Sequence, residues 1–306
     1  MHVFLTGAGG YIGGTVAARL IAQGHRVSGL VRDPVKARLV QGQGIVPVLG
    51  DLDDLELLAR HVREADATMN TASADHATSA LAMIQALAGS GKAFIHTSGS
   101  SVIGDDARGL RVSDQVFDEE TPFAVEPLKA ARHRLNLSIL AAADQNVRSV
   151  VICPSLIYGE GDGLQRDSIQ IPFLVRQARA SGVARVVGNG SNRWSTVHIA
   201  DLAQLYLAAL DRAPAGAFFF AENGESSFAE IGQAIAFRLG LGPVQSWPAE
   251  DAAAQWGEAK AYYTFGSNSR VRAVRARREL EWNPRHESAV AWIRDEMKLA
   301  PEEQER

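Results

Sequence analysis

Three glycines at intervals of three, Gly7, Gly10 and Gly13, follow the apolar run His2–Leu5 and precede a helical pattern. A strand that feeds a glycine turn and then a helix N-terminus is an arrangement that receives the pyrophosphate of a dinucleotide. Gly7 can take the positive φ of a tight strand-to-helix turn. Gly10, lacking Cβ, lets backbone N–H groups approach a phosphate, and Gly13 lets the first helix lie close on the sheet. The free N–H groups and the dipole of that helix then favour the anion. The spacing departs from G-x-G-x-x-G, whose last glycine would fall on Ile12.

The elements that must hold this turn are legible as a rhythm. Helical spacing over Thr15–Gln23 stops at Gly24, a good residue just past a helix end. Strands are predicted at Arg26–Val31, Ile45–Leu49, Ala67–Thr71, Ala93–Thr97 and Val147–Cys153. Helices are predicted between them at Val35–Val40, Leu55–Glu64, Ser79–Ala88 and Leu128–Gln145. Repeated βαβ units imply a parallel sheet covered on both faces, a Rossmann-type doubly wound α/β fold. After Pro154 the pattern changes. Helices are predicted at Ile169–Ala180, Ile199–Leu210, Phe228–Leu239, Arg275–Leu280 and Ala289–Met297, and strands at Ala184–Val187 and Ala217–Phe220. Gln245–Ser269 reads as irregular and as the cleft lining. Residues 1–158 are assigned to the dinucleotide-binding domain, with 184–212 returning to it. Residues 159–183 and 213–306 are assigned to a smaller C-terminal substrate lobe. The cleft should lie beyond the carboxyl ends of the strands.

Composition narrows the class. The chain has 306 residues, enough for one large domain or two intimately joined ones. A net charge of −4 gives no reason to expect nucleic acid or an anionic membrane as partner. The one cysteine, Cys153, lies in an apolar run, so no internal disulfide can form and a buried inert thiol is expected. No apolar segment reaches the roughly 18 residues of a membrane span, and no secretory leader is visible, so a cytoplasmic protein is expected. The eight histidines show no ligand spacing with carboxylates, so no metal site is expected. The tail Pro301–Arg306 is short and polar and is expected to fray.

Thr6-Gly7-Ala8-Gly9-Gly10-Tyr11-Ile12-Gly13 resembles the T-G-x-x-G-x-x-G of short-chain dehydrogenases/reductases, in their extended, epimerase/dehydratase-like branch. The resemblance covers most of the chain. Phe94–Gly104 resembles the serine-rich segment after that family's fifth strand. Arg193–Ala203 resembles R-x-x-x-V-H-V-x-D-L-A. It implies that Thr6, Gly7, Gly10, Tyr11, Ile12 and Gly13 hold the cofactor's pyrophosphate. Asp51 and Leu52 would meet adenine, and Thr71, Ala72 and Ser73 would line the phosphate-ribose. Pro154 would also contact the cofactor.

The end of the second strand separates the two dinucleotides. A NAD site places Asp or Glu there for the ribose 2′-hydroxyl. Here apolar Val31 is followed by Arg32, whose guanidinium suits a 2′-phosphate, so NADP(H) is favoured. The alternative is that Asp33 serves the ribose and Arg32 is solvated.

The family's acid/base pair is a Tyr four residues before a Lys. None of the five tyrosines, Tyr11, Tyr158, Tyr206, Tyr262 and Tyr263, has that lysine. In one register Leu128 and Arg132 replace the pair; in the other, Val125 precedes Lys129. The usual serine falls on Gly99, with Ser98 and Ser100 beside it as substitutes or as local turn residues. Arg132 can bond nicotinamide ribose hydroxyls or stand solvated. Tyr158 is the candidate for a relocated phenol, against a packing role. Arg193 and Trp194 are candidate substrate contacts, with an ion pair as the alternative for Arg193. His198 is expected to be a hydrogen-bonded core residue, and Asp201 to cap or buttress the following helix.

Two functions remain open from sequence. One is an atypical NADP(H)-dependent oxidoreductase or epimerase/dehydratase-like enzyme without the tyrosine, acting on a small carbonyl, alcohol or sugar-nucleotide substrate. The other is a non-catalytic NADP(H)-binding sensor or regulator. A monomer or homodimer is expected.

Overall fold

The computed structural model describes residues 1–299; the tail Pro301–Arg306 lies outside the described residues. The first half alternates as the apolar spacing predicts: β1 (His2–Thr6), α1 (Tyr11–Ala22), β2 (Arg26–Val31), α2 (Pro34–Gly42), β3 (Val46–Leu49), α3 (Leu55–Glu64), β4 (Ala67–Asn70), α4 (Ala77–Leu87) and β5 (Ala93–Thr97). A long loop and a 3-10 turn, Pro127–Lys129, lead into α5 (Ala130–Ala141), and β6 (Arg148–Pro154) follows. The second half contributes β7 (Leu156–Tyr158), α6 (Gln170–Ser181), β8 (Arg185–Val187), β9 (Arg193–His198), α7 (Ile199–Arg212), β10 (Ala217–Ala221) and β11 (Glu225–Ser227). It ends with α8 (Phe228–Leu239), β12 (Gln245–Trp247), α9 (Ala249–Trp256), the single turn α10 (Glu258–Lys260), α11 (Val274–Leu280) and α12 (Ala289–Asp295).

Seven strands form one sheet in the order β10-β6-β5-β4-β1-β2-β3, and every neighbouring pair is parallel. Successive side chains leave a strand on opposite faces. Val3 and Leu5 of β1 therefore pack with Val16 and Leu20 of α1 and with Leu202 and Leu205 of α7. Phe4, between them, packs with Leu58 and Val62 of α3, Met83 of α4 and Ile139 of α5. Both faces are dry, which is why these strands read as continuous apolar runs. Fully burying one such Leu or Phe contributes about 1.5–3 kcal/mol. A third cluster draws Ile171 and Leu174 of α6, Ile231 and Ile235 of α8, Trp256 of α9 and Ile293 of α12 together away from the sheet.

The second half departs from its sequence reading in three places. First, Ala217–Ala221, which the sequence assigns to the smaller lobe, pairs with β6 as the edge of the main sheet. Its Ala-Phe-Phe-Phe-Ala run suits a strand buried on both faces. Arg185–Val187, expected to return to the sheet domain, pairs with Gln245–Trp247 instead. Second, Gln245–Ser269 is not irregular, because it carries β12, α9, α10 and a π turn at Ala261–Phe265. Third, the N-cap of α7 is His198, whose Nδ1 accepts from the Ala200 N–H. Asp201 is fully buried and accepts instead from the backbone N–H of His286 at 2.8 Å, with the His286 ring 3.0 Å away.

Candidate active site

The glycine turn sits where β1 meets α1. Gly7 has φ +76°, and a Cβ there would stand 2.9 Å from the Ala72 backbone. A Cβ on Gly13 would stand 2.3 Å from the Gly7 carbonyl oxygen and 2.5 Å from Thr71 Oγ1. Only hydrogen fits at either place. Thr6 braces the turn from below: its hydroxyl donates to Asn70 Oδ1 at 2.6 Å, while the Thr71 hydroxyl donates to the Thr6 carbonyl at 2.7 Å. Gly10 is the N-cap of α1 and brings no side chain to the first-turn N–H groups. Helix N–H groups left without a protein cap beside a Cβ-free cradle fit a dinucleotide pyrophosphate. Ile12 packs on the sheet's core, and Tyr11 points its hydroxyl at the Gly159 carbonyl, 2.8 Å away.

The ends of β2 to β4 line up beyond this turn. Asp33 caps α2, and one carboxylate oxygen accepts from the N–H groups of Val35 at 2.6 Å and Lys36 at 3.3 Å. Arg32 is exposed, and no ion pair holds it among the described residues. Asp51 Oδ1 accepts from Asp53 N–H at 2.9 Å and Asp54 N–H at 3.2 Å, an Asx turn that opens the approach to α3. Leu52 lies against the apolar cluster on that face. Thr71, Ala72 and Ser73 follow β4, and Ser73 Oγ accepts from the Asp75 N–H at 3.2 Å.

At the end of β5 the chain assembles a charged cluster. Ser98 accepts from Asn136 Nδ2 at 2.9 Å and is buried. The Ser100 hydroxyl pairs with that of Ser269 at 2.8 Å, also buried. Gly99 lies between them, and a Cβ there would be 3.4 Å from Arg132 Nη1. The position that resembles the family's serine therefore abuts Arg132. That guanidinium donates to Asp75 Oδ1 at 2.7 Å, to Asp75 Oδ2 at 2.5 Å and to Ser101 Oγ at 3.1 Å. The bond from Arg132 holds the Asp75 carboxyl below its ordinary range. Lys129 stands one turn before Arg132, on the helix face that continues to Asn136. Burial, and next the charge of Arg132, push the Lys129 ammonium below its usual value. His96 lies deep in β5, where Asn70 Nδ2 is 3.0 Å from its Nδ1; burial, then Arg132, push it down to about 4. Burial pushes the Cys153 thiol up to about 12.

None of the tyrosine hydroxyls with an assigned partner reaches this cluster. The Tyr158 hydroxyl donates to the His286 carbonyl at 3.0 Å, and its ring meets His198 edge-on. Tyr206 is fully buried against Thr97, 2.5 Å away. Burial raises the pKa of all three of Tyr11, Tyr158 and Tyr206. Tyr262 lies under the Arg108 guanidinium, 4.3 Å from it. Pro154 is buried at the end of β6 and pairs with Ala221.

Arg193 and Trp194 lie on β9. The Arg193 guanidinium meets Glu225 at 2.7 Å and Glu230 at 3.3 Å. Trp194 is buried and donates from Nε1 to the Ser267 carbonyl at 2.9 Å. Glu225 also holds Arg270, so Arg193, Glu225, Glu230 and Arg270 form one ion-pair network. Asp75 and Asn136 are not singled out by the sequence as site residues, whereas Lys129 is the lysine of one register of the Tyr/Lys pair. The spacing of Arg132 and Asn136, one helical turn apart, was the available signal for Asn136. No group of three or more His, Cys, Asp or Glu with metal-holding geometry occurs among the described residues.

Comparison with known proteins shows the family and the fold. The profile of the NAD dependent epimerase/dehydratase family matches residues 3–219, and the chain belongs to that family. It is 34% identical to the oxidase ucsJ of an Acremonium species, with 92% of each chain covered. It is 28% identical to the 4-hydroxy-2-methyl-3-oxo-4-farnesyl-3,4-dihydroquinoline-1-oxide ketoreductase of Stigmatella aurantiaca, covering 73% of this chain and 69% of that one. Its fold matches that of a dTDP-glucose 4,6-dehydratase from Streptomyces venezuelae, solved with NAD bound, with a TM-score of 0.75 at 20% identity over 96% and 95% of the two chains.

Proposed function

We propose that this protein is an NADP(H)-dependent oxidoreductase that reduces a small carbonyl compound, or oxidises the corresponding alcohol. The observation that carries the reading is the division between two neighbours at the end of β2. Asp33 is used as a helix cap, and Arg32 beside it stands exposed, with no ion pair among the described residues. A guanidinium placed there can take a 2′-phosphate through two charge-assisted hydrogen bonds. The keto-reducing relative supports a carbonyl as substrate, and the carboxylates that occupy Arg193 speak against a sugar-nucleotide phosphate at that side chain.

The bound nicotinamide would supply or accept the hydride. Gly7, Gly10 and Gly13 would hold its pyrophosphate, and Thr71, Ala72 and Ser73 its ribose-phosphate. Arg132 and Ser101 would orient the substrate oxygen beside Gly99. A guanidinium stays protonated in proteins and cannot complete the alcohol. Lys129 shares its helix face and has a lowered pKa, so we assign it the proton. Tyr158, with its hydroxyl committed to His286, keeps a packing role in this scheme.

The test is incubation of the purified protein with NADPH and a panel of ketones, 3-oxo acids among them, followed by loss of NADPH absorbance. Oxidation of NADPH with at least one carbonyl is expected. Tight NADPH binding without turnover on any carbonyl or sugar nucleotide would favour the sensor instead.

A further inference from the structure

Between β7 and α6 the chain reads Gly159-Glu160-Gly161-Asp162-Gly163-Leu164. The missing side chains of this second glycine series face α1 and His198 at the end of β9. A Cβ on Gly161 would stand 2.9 Å from Cδ2 of Tyr11 and 3.0 Å from Thr15 Oγ1. A Cβ on Gly163 would stand 2.6 Å from the Cα of Gly14, and one on Gly14 would stand 2.8 Å from the Cα of Gly163. Gly159, at φ +100°, packs so closely on His198 that a Cβ would reach its Nε2 at 2.3 Å.

Polar contacts fasten the same segment. The Tyr11 hydroxyl donates to the Gly159 carbonyl at 2.8 Å. The Asp162 N–H donates to Thr15 Oγ1 at 3.0 Å, and the Asp162 carboxylate pairs with Arg19 at 2.9 Å. Tyr11, Thr15 and Arg19 are four residues apart, so they form one face of α1. Leu164 reaches 3.9 Å from the Cβ position of Gly9, inside the turn itself. The loop closes on itself, with the Gly161 N–H donating to the Arg166 carbonyl at 2.8 Å. It then runs into α6, whose Ile171 and Leu174 belong to the separate apolar cluster.

We propose that Gly159–Leu164 is a positioning strap for the dinucleotide turn. It fixes the first two turns of α1 from outside the sheet, so that the N–H groups over the pyrophosphate are preorganised. The same segment is the covalent link to α6, so the cofactor end of α1 and the smaller cluster are held by one piece of chain. Tyr11 and Thr15 act as positioning residues through it. Preorganised groups bind more tightly because less ordering remains to be done on binding. The proposal rests on the turn being the pyrophosphate site.

The test measures NADPH and adenosine 2′-phosphate affinity by titration, with melting followed in parallel. The second probe carries the adenine end and no pyrophosphate. Gly163→Ala forces a backbone contact apart and should weaken NADPH about ten-fold. Tyr11→Phe and Thr15→Val, which fold more readily, should each weaken it about three- to five-fold by removing one hydrogen bond. Adenosine 2′-phosphate should bind all variants as it binds the parent. NADPH affinity that stays at the parent value in folded variants overturns the strap and leaves the cofactor reading standing. Parallel loss of both ligands with a lowered melting temperature also overturns it, because that is a general structural effect. Parent protein that binds no NADPH would overturn the cofactor reading and the strap together.

Discussion

Arg132 and Asp75 face each other as a two-pronged pair, Nε to Oδ1 at 2.7 Å and Nη2 to Oδ2 at 2.5 Å. They are 57 residues apart in sequence and meet where the loop after β4 faces the first turn of α5. The pair stands beside Gly99 and leaves Nη1 directed at Ser101. A planar fork clamped on a carboxylate has little freedom left, which is what a group that must orient a substrate oxygen requires.

Removing the proton donor should separate chemistry from binding. Lys129→Met is expected to lower kcat by about 100-fold, the usual scale of general acid catalysis, while NADPH affinity stays the same. Stopped-flow NADPH oxidation and equilibrium titration read the two quantities. Unchanged kcat would mean that the proton comes from elsewhere, such as water.

Cofactor choice should depend on a single guanidinium. Arg32→Ala is expected to weaken NADPH about ten-fold or more and NADH less than about two-fold, since a charge-assisted bond to phosphate is lost. Comparative titration with both dinucleotides checks this. Equal loss, or no loss, would transfer the role of Arg32 to another side chain.

The phenol of Tyr158 should be dispensable for turnover. Tyr158→Phe removes one partly buried hydrogen bond to the His286 carbonyl and should cost about 1 kcal/mol of stability. Its kcat should stay within about two-fold of the parent, as expected of a group that makes no transition-state contact. A large fall in kcat with an unchanged melt would restore it as the acid.

Acid should weaken the fold before it reaches the carboxylates. His96 and His198 are both pushed down to about 4, His96 by burial and Arg132, and His198 by burial and the facing His286. An unfolded histidine takes a proton near pH 6.5, so between about pH 6.5 and 4 the unfolded chain binds more protons and stability falls with pH. Above pH 6.5 neither group contributes to the slope. For the fully buried His96 the full effect is roughly 3 kcal/mol. Melting curves across this window should show the decline, and His96→Asn should flatten it. A melting temperature that holds steady from neutral pH to 4 would contradict it.

Much of the sheet was readable in the chain because its determinants are local. Apolar runs, the glycine turn and the residues ending each helix all act within a few positions, and β2, α3, β5 and α8 fall where spacing placed them. The short strands β7, β9 and β11 carry no such signal, because three to six residues paired at long range look like loop. β10 was placed in the wrong body since its partner, β6, lies more than sixty residues earlier. At the site, Arg32, Arg132 and the glycines were legible as residue types at fixed offsets. The partner of Arg132, the hydroxyl direction of Tyr158 and the capping role of His198 were not, because each depends on a residue far away in sequence.

The late closure of the main sheet has a consequence for synthesis. β10 is residue 217 onward, and Val271, Leu280 and Trp282 complete the same apolar cluster as Val3 and Leu5. The first strand made therefore waits for nearly the last tenth of the chain before its surroundings are dry. Long sequence separation between contacting residues slows folding. On the ribosome the nascent sheet would carry an open β6 edge and uncovered valines, and these are surfaces that attract other chains. Chains truncated before Ala217 should aggregate during translation, while the full-length chain, once released, covers the β6 edge with β10.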